Sequence, residues 1–187
     1  MVYFLLMKAL ILAKGYGTRL GTLTANLPKP LLKINNKTVL EHIIDNLNLN
    51  HINEIIINIH YLPLQIVKIL QDRALFAYYP LALSHGESVK KIRYWLNDDM
   101  FFVINGDTLS TVNYQDMIQT HKLGTITSLM DRNYRCGGTW IYDVRYFSES
   151  NIPIVPYYDD EVRWHDIGTP EKLEIAKKEY EKPIAMS

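Results

Sequence analysis

The sequence is poor in the features that mark several specialised classes of protein. Its 187 residues include one cysteine, Cys136, so no disulfide can form within the chain. Such a composition fits a reducing compartment, and we predict a cytoplasmic protein. Lysine and arginine together number 20, as do aspartate and glutamate. There is therefore no net positive charge to attract nucleic acid or an anionic membrane, and neither is expected as a partner.

Long apolar runs and targeting signals are also missing. No apolar stretch reaches the roughly 18–20 residues that cross a bilayer. Residues 1–13 are mostly apolar, but they lack a basic start and a cleavage site, and a glycine-rich turn follows at once. We interpret them as leading into a β-strand rather than as a signal peptide.

The composition that remains is typical of a soluble globular protein. Apolar residues make up 48% of the chain and charged residues 21%, a balance that permits a buried core. A chain of this length is long enough for one domain and short for two. Because no repeat, low-complexity tract or linker interrupts it, we predict that residues 1–187 form a single domain.

Apolar patterns alternate along the chain between those of strands and those of helices. Strands are predicted at residues 8–13, 54–60, 100–104, 125–130 and 139–142, and helices at residues 38–49, 64–70, 88–96, 114–121 and 169–180. Capping residues support three of the helix starts: Thr38 with Glu41, Ser84 with Glu87, and Thr169. The alternation predicts an α/β fold with a mostly parallel sheet and helices on both faces.

A glycine-rich turn follows the first predicted strand, in the sequence LAKGYGTRL at residues 12–20. Ligands of open α/β sheets bind beyond the carboxyl ends of the strands, and glycines there let backbone N–H groups approach phosphate oxygens. Arg19 adds a guanidinium suited to phosphate, and Lys29, between two prolines, adds an ammonium on a stiff segment. These features predict a triphosphate site, with a plain turn and surface cations as the alternative. No P-loop signature is present, and the dinucleotide fingerprint would need a glycine at Leu20.

Two aspartates occupy similar positions near the ends of other elements. Asp107 follows the strand at residues 100–104, and Asp166 lies in the sequence WHDIGTP at residues 164–170. Each alone could be an ordinary turn residue. Together with the glycine-rich turn they predict Mg²⁺ as the cofactor, because this ion prefers carboxylate oxygens and completes its shell with waters and substrate phosphates. His165 is interpreted as a loop histidine.

In their order along the chain, these segments resemble the sugar-1-phosphate nucleotidylyltransferases. That family begins with a sequence like LAGGxGTRL followed by PKPL, which is similar to residues 12–20 and 28–31. The resemblance continues through NGDT at residues 105–108 and WHDIGTP at residues 164–170. It implies a three-layer, Rossmann-like nucleotidyltransferase fold close to that of the GT-A glycosyltransferases. It also implies transfer of a nucleotidyl group from a nucleoside triphosphate to a sugar 1-phosphate, with release of pyrophosphate.

The resemblance implies a role for individual residues as well. Arg19 and Lys29 would be catalytic, holding the triphosphate and stabilising the transition state, and Asp107 and Asp166 would bind Mg²⁺. The other nucleotide-binding residues would be Leu12, Ala13, Lys14, Gly15, Gly17, Thr18, Ser84 and Gly86. The residues that bind the sugar phosphate would be Arg132 and Gly138. GTP is the expected triphosphate, because NGDT, the chain length and His121 most resemble heptose- or mannose-1-phosphate guanylyltransferases, and a monomer or homodimer is expected.

The chain departs from the family pattern at several positions. Lys14 and Ser84 replace small residues, Cys136 replaces an amide that commonly bonds sugar hydroxyls, and the segment at residues 131–136 is shortened. Three alternatives follow: a glycosyltransferase, a non-catalytic nucleotide- or sugar-phosphate-binding module, and a cytidylyltransferase that acts on a non-sugar phosphate such as a phosphorylated amino alcohol. The first would carry an Asp-x-Asp motif where this chain has Gly106-Asp107-Thr108.

Overall fold

The computed structural model describes residues 7–96, 100–148 and 151–180. The strands are β1 (Lys8–Ala13), β2 (Lys33–Ile34), β3 (Lys37–Thr38), β4 (Glu54–Ile59), β5 (Leu75–Tyr78), β6 (Met100–Asn105), β7 (Thr108–Ser110), β8 (Ile126–Met130), β9 (Cys136–Asp143), β10 (Ile154–Tyr157) and β11 (Trp164–Asp166). The α-helices are α1 (Val39–Leu49), α2 (Pro63–Leu70), α3 (His85–Ile92), α4 (Tyr114–Thr120) and α5 (Pro170–Tyr180). None of the helices in these ranges combines the length and apolar character that crossing a membrane requires.

Seven strands form the central sheet, in the order β10-β8-β9-β6-β1-β4-β5. β1 lies between β4 and β6 and runs parallel to both. β5 is parallel to β4 and β10 to β8, whereas β9 runs antiparallel to its neighbours β6 and β8. The predicted α/β fold with a mostly parallel sheet is confirmed.

Both faces of this sheet are covered, which accounts for the continuous apolar runs in its strands. Successive side chains of a strand point to opposite faces, so Ala9 and Ile11 enter a core with α1, α2, α4 and α5. Leu10 and Leu12 enter a second core with residues of α3. Burial on both faces removes the polar alternation of a half-exposed strand. The result is the three-layer arrangement that the resemblance implies.

Helix capping sets several of the helix boundaries. The Thr38 hydroxyl accepts a hydrogen bond from the Glu41 N–H, and the Glu41 carboxylate accepts one from the Thr38 N–H. Ser84 and Glu87 form the same reciprocal pair. Because Ser84 is the cap, α3 begins at the next residue and ends at Ile92, so the predicted helix at residues 88–96 was placed too late.

Some short elements differ from the sequence-based expectations. β5 and β10 are the edge strands of the sheet and have four residues each. They were not predicted, because an apolar run of four residues is too short for its pattern to distinguish a strand from a helix or a loop. β7 and β11 pair with each other outside the main sheet. His165 therefore belongs to a strand, and its interpretation as a loop residue was wrong.

Candidate active site

The glycine-rich turn and the segment after β6 lie side by side at the carboxyl edge of the sheet. They follow neighbouring parallel strands, and the Gly106 N–H donates a hydrogen bond of 3.0 Å to the carbonyl oxygen of Leu12. A Cβ atom on Gly106 would lie 3.0 Å from that same oxygen. Glycine at position 106 therefore allows Asp107 to approach the end of β1 closely.

Gly17 connects the turn to the segment that carries Lys29. Its φ is +70°, a conformation that favours glycine. The Thr24 hydroxyl donates a 2.8 Å hydrogen bond to the Gly17 carbonyl, and a Cβ atom on Gly17 would lie 3.0 Å from Cβ of Lys29. The turn, the 3₁₀ segment Thr18–Thr24 that carries Arg19, and Lys29 thus form one packed unit.

Lys29 and Asp107 meet directly. The Lys29 ammonium donates a 2.5 Å hydrogen bond to Oδ2 of Asp107. Lys29 is 6% exposed, so its charge is held almost completely within the protein. A buried ammonium needs a partner, and in this structure a predicted metal ligand supplies it.

Asp166 reaches the same place through the β7–β11 pair. In that ladder Asp166 lies opposite Thr108, and the Ile167 N–H donates a 3.1 Å hydrogen bond to the Asp107 carbonyl. Its Oδ1 accepts a 2.6 Å hydrogen bond from the Gly168 N–H, and its Oδ2 contacts the Lys172 ammonium. Partial burial works to raise the pKa of the Asp166 carboxyl, but these two hydrogen bonds and nearby positive charge hold the pKa below its usual value. Asp166 is therefore ionised at neutral pH.

Arg19 lies at the same edge of the sheet as Lys29, Asp107 and Asp166. A Cβ atom on Gly168 would lie 3.2 Å from Nη2 of Arg19 and 2.5 Å from Oδ1 of Asp166. The guanidinium therefore lies over Gly168, beside the Asp166 carboxylate. The structure brings together both predicted catalytic cations and both predicted metal ligands.

The donor set at this edge fits a hard divalent cation. Asp107, directly before β7, and Asp166, in β11, offer carboxylate oxygens, and nowhere in the described ranges do three His, Cys, Asp or Glu side chains cluster as metal ligands. A cage made only of protein ligands is what Ca²⁺ or a structural Zn²⁺ would need. Mg²⁺ uses one or two carboxylates with waters and substrate phosphates, which fits this pair.

Three of the predicted nucleotide-binding residues, Lys14, Ser84 and Gly86, lie on the α3 side of the turn. The Lys14 ammonium donates a hydrogen bond to the Leu83 carbonyl, next to Ser84 and Gly86. His85 lies against Trp140 and accepts or donates a 3.0 Å hydrogen bond with the Tyr142 hydroxyl. Burial, with the charge of Lys14 nearby, lowers the pKa of His85 to about 4. Sequence reasoning missed His85, which has no motif of its own.

The two predicted sugar-phosphate residues are placed differently. Gly138 adopts a φ of +73°, and a Cβ atom on it would lie 3.0 Å from the Thr108 hydroxyl oxygen, so it belongs to the cluster around β7. Arg132 is exposed and makes a two-pronged ion pair with Asp160, with N–O distances of 2.9 and 2.8 Å. In the structure, the Arg132 guanidinium is paired with Asp160 at the surface of the protein.

A cleft next to Asp166 contains cations that sequence reasoning did not select. It has a volume of about 440 Å³ and is lined by Asp131, Arg135, Val162, Arg163, Trp164, His165, Asp166, Lys172 and Ile175. The Arg135 guanidinium lies 5.8 Å from the centre of the Trp164 ring and pairs with Asp131. Arg135 lies in the shortened segment at residues 131–136, and that departure from the family pattern was the available signal.

A three-layer α/β fold with a glycine-rich turn, paired cations and two carboxylates at one edge defines a nucleotide-binding protein that handles phosphates. Residues 8–133 match the model of the nucleotidyl transferase family, and the chain belongs to that family. The mannose-1-phosphate guanylyltransferase catalytic subunit beta of Xenopus tropicalis is 31% identical over an alignment of 125 residues, and the match covers 62% of this chain and 35% of that protein. The chain thus spans about a third of the length of this curated relative.

Solved structures show the same fold. HddC from Yersinia pseudotuberculosis, in a complex with GMP-PN, aligns with 93% of this chain and 99% of its own at a TM-score of 0.79 and 19% identity. The CTP:phosphocholine cytidylyltransferase LicC from Streptococcus pneumoniae covers 92% of this chain and 98% of its own, with a TM-score of 0.68 and 19% identity. At these identities the likeness concerns the architecture.

Proposed function

We propose that the chain transfers a nucleotidyl group from GTP to a sugar 1-phosphate, in the cytoplasm and with Mg²⁺, forming a GDP-sugar and pyrophosphate. The observation that carries this proposal is the convergence of Arg19, Lys29, Asp107 and Asp166 at the carboxyl edge of the sheet, beside the glycine-rich turn. A protein that only binds a nucleotide does not need this combination of two cations and two carboxylates.

Each of these residues has a part in the proposed reaction. A phosphate oxygen of the acceptor attacks the α-phosphorus of the triphosphate in line, and the bond to the leaving pyrophosphate breaks. No covalent intermediate with the protein is needed, because the acceptor is already an anion. Arg19 and Lys29 offset the charge on the triphosphate and on the leaving group, and the glycine-rich turn positions the phosphates.

Mg²⁺ would be held by the Asp107 and Asp166 carboxylates. When bound, it supplies positive charge that clamps the phosphates and stabilises the charge of the transition state. Lys29 is already hydrogen-bonded to Asp107 at 2.5 Å. The ammonium and the carboxylate therefore hold each other in place at the point where the triphosphate would bind.

The choice of GTP and of a sugar 1-phosphate is supported by the similarity of the chain to a mannose-1-phosphate guanylyltransferase. The cleft beside Asp166 provides room for the acceptor, and its cations, Arg135 and Lys172, suit an anionic phosphate. The proposed enzyme acts as a monomer or homodimer.

The test is a measurement of pyrophosphate release with Mg²⁺, in which GTP, CTP, UTP, dTTP and ATP are crossed against a panel of sugar 1-phosphates and phosphocholine. Release that needs both GTP and one sugar phosphate is the expected result. The matched control is Lys29→Met, which should be nearly inactive. Release with CTP and phosphocholine would show a cytidylyltransferase instead. No release from a folded protein that still binds a nucleotide would show a binding module.

A further inference from the structure

Lys14 is an unusual feature of the glycine-rich turn. It directly follows β1, and its long side chain crosses from the turn to the connection between β5 and α3. There its ammonium donates a hydrogen bond to the backbone carbonyl of Leu83. Lys14 is half-buried, and this burial lowers the pKa of its ammonium although the nearby Glu87 carboxylate raises it. A half-buried ammonium loses part of its hydration, and the Leu83 carbonyl and the Glu87 charge offset this cost only in part, which leaves Lys14 two N–H donors for a ligand.

The position of Lys14 relative to the other cations indicates which part of a nucleotide it would meet. This step rests on the proposed function, in which Arg19 and Lys29 bind the phosphates. Those two cations lie on the side of the turn that faces Asp166 and Gly168. Lys14 points to the opposite side, toward the start of α3. A nucleotide with its phosphates beside Arg19 would extend its base toward the Lys14 ammonium and the Leu83 carbonyl.

An ammonium group discriminates between bases by its hydrogen-bonding chemistry. It has three N–H donors and no acceptor, and the Leu83 carbonyl uses one of them. Guanine presents two adjacent acceptors, O6 and N7, which are a common target of lysine and arginine. Adenine has an amino donor at the position of O6, and cytosine has one at N4. Uracil and thymine offer only O4 at the corresponding edge.

We propose that Lys14 is a specificity-determining residue, whose ammonium selects guanine by donating hydrogen bonds to O6 and N7. The alternative is that Lys14 only ties the turn to the α3 connection. A purely structural tie would affect the binding of all nucleotides equally, because it would not contact the base. The two roles are therefore separated by comparing bases rather than by measuring the loss of activity.

The experiment measures binding of the Mg²⁺ complexes of GTP, ITP and ATP by calorimetry, without an acceptor. ITP keeps O6 and N7, whereas ATP replaces O6 by an amino group. The wild-type protein should bind GTP and ITP at least about tenfold more tightly than ATP. Lys14→Met, of similar length but uncharged, should weaken GTP and ITP about tenfold and should weaken ATP, which keeps N7 but not O6, clearly less, so that the preference for GTP over ATP falls. The matched control is Lys91→Met, an exposed lysine of α3, which should behave as wild type.

Each result has a definite meaning. A Lys14→Met variant that keeps the wild-type ratio of GTP to ATP, or a wild type that does not prefer GTP to ATP, overturns the role of Lys14 and leaves the proposed reaction in place. A wild type that binds no nucleoside triphosphate removes the proposed function, and the role of Lys14 with it. If Lys14→Met does not fold, the affinity of the wild-type protein for 7-deaza-GTP is measured instead and compared with its affinity for GTP. Loss of N7 should then weaken binding about threefold, because O6 still accepts a hydrogen bond, and unchanged binding would overturn the proposal.

Discussion

Lys29 and Asp107 form a 2.5 Å ion pair across 78 residues of sequence, and Lys29 is 6% exposed. Because Lys29 is buried and is held by Asp107, its ammonium already has a fixed position before a triphosphate binds. It therefore needs little rearrangement to contact a phosphate. Such preorganised donors make large contributions to the rates of enzymes.

We expect Lys29→Met to lower kcat/KM for nucleotidyl transfer by roughly 100- to 1000-fold, which corresponds to about 3–4 kcal/mol of transition-state stabilisation. The loss should appear mainly in kcat, because the charge on the leaving pyrophosphate develops in the transition state. Steady-state kinetics of pyrophosphate release measures both parameters. Lys33→Met, at an exposed position of β2, is the control and should keep the wild-type rate. Normal kinetics in Lys29→Met would remove Lys29 from the catalytic residues.

Substitutions at the two carboxylate–lysine pairs should move the affinity for Mg²⁺ in opposite directions. Asp107→Asn removes a charged ligand and should abolish Mg²⁺-dependent turnover without unfolding the protein.

Lys172→Met frees Oδ2 of Asp166 from an ammonium. It should tighten Mg²⁺ binding about fivefold in the absence of nucleotide, since about 1 kcal/mol of charge repulsion is removed. Calorimetric Mg²⁺ titrations measure the affinity of both variants, and pyrophosphate release measures the turnover of Asp107→Asn. Asp116→Asn, exposed on α4, is the control. Weaker binding in Lys172→Met would show that the lysine does not compete with the ion.

The pKa of His85, lowered from 6.5 to about 4, predicts a pH dependence of stability. Between these two values the unfolded chain binds a proton at this histidine that the folded protein does not bind. The free energy of unfolding therefore falls as the pH drops from about 6.5 toward about 4. Lys14, Trp140 and Tyr142 surround His85 and leave it no carboxylate partner among its described contacts. In His85→Gln the fall should be smaller, as measured by urea unfolding at pH 7 and pH 5. Equal falls in both proteins would contradict the assignment.

Gly106 and Gly15 provide a matched pair for the packing of the active-site edge. A Cβ atom on Gly106 meets the Leu12 carbonyl oxygen at 3.0 Å, whereas one on Gly15 meets nothing within 4 Å. Gly106→Ala should therefore lower the free energy of unfolding by about 1–3 kcal/mol. Gly15→Ala should change it by no more than about 0.5 kcal/mol. Chemical denaturation gives both values, and equal stabilities would show that β1 and the Gly106 segment separate easily.

Local patterns in the sequence predicted the central elements well. β1, β4 and β6 are buried on both faces, so each appears as a nearly continuous apolar run, interrupted in β4 only by Asn58. The capping boxes at Thr38 and Ser84 depend only on residues three positions apart, and both are present. β5 and β10 depend instead on pairing with β4 and β8, and an apolar run of only four residues did not indicate either strand.

The chemical groups of the site can be identified from the sequence alone: the glycine-rich turn, Arg19, Lys29, Asp107 and Asp166. Each is identified by its residue type and by its place after an apolar strand or before a helix cap, which are local properties. Which of these groups are in contact depends on the complete fold. The β7–β11 register brings Asp166 to Asp107, and the fold turns Arg132 toward Asp160 and Lys14 toward Leu83. Such partners are set by long-range strand pairing and loop length, because side chains distant in sequence meet only when the whole sheet is assembled.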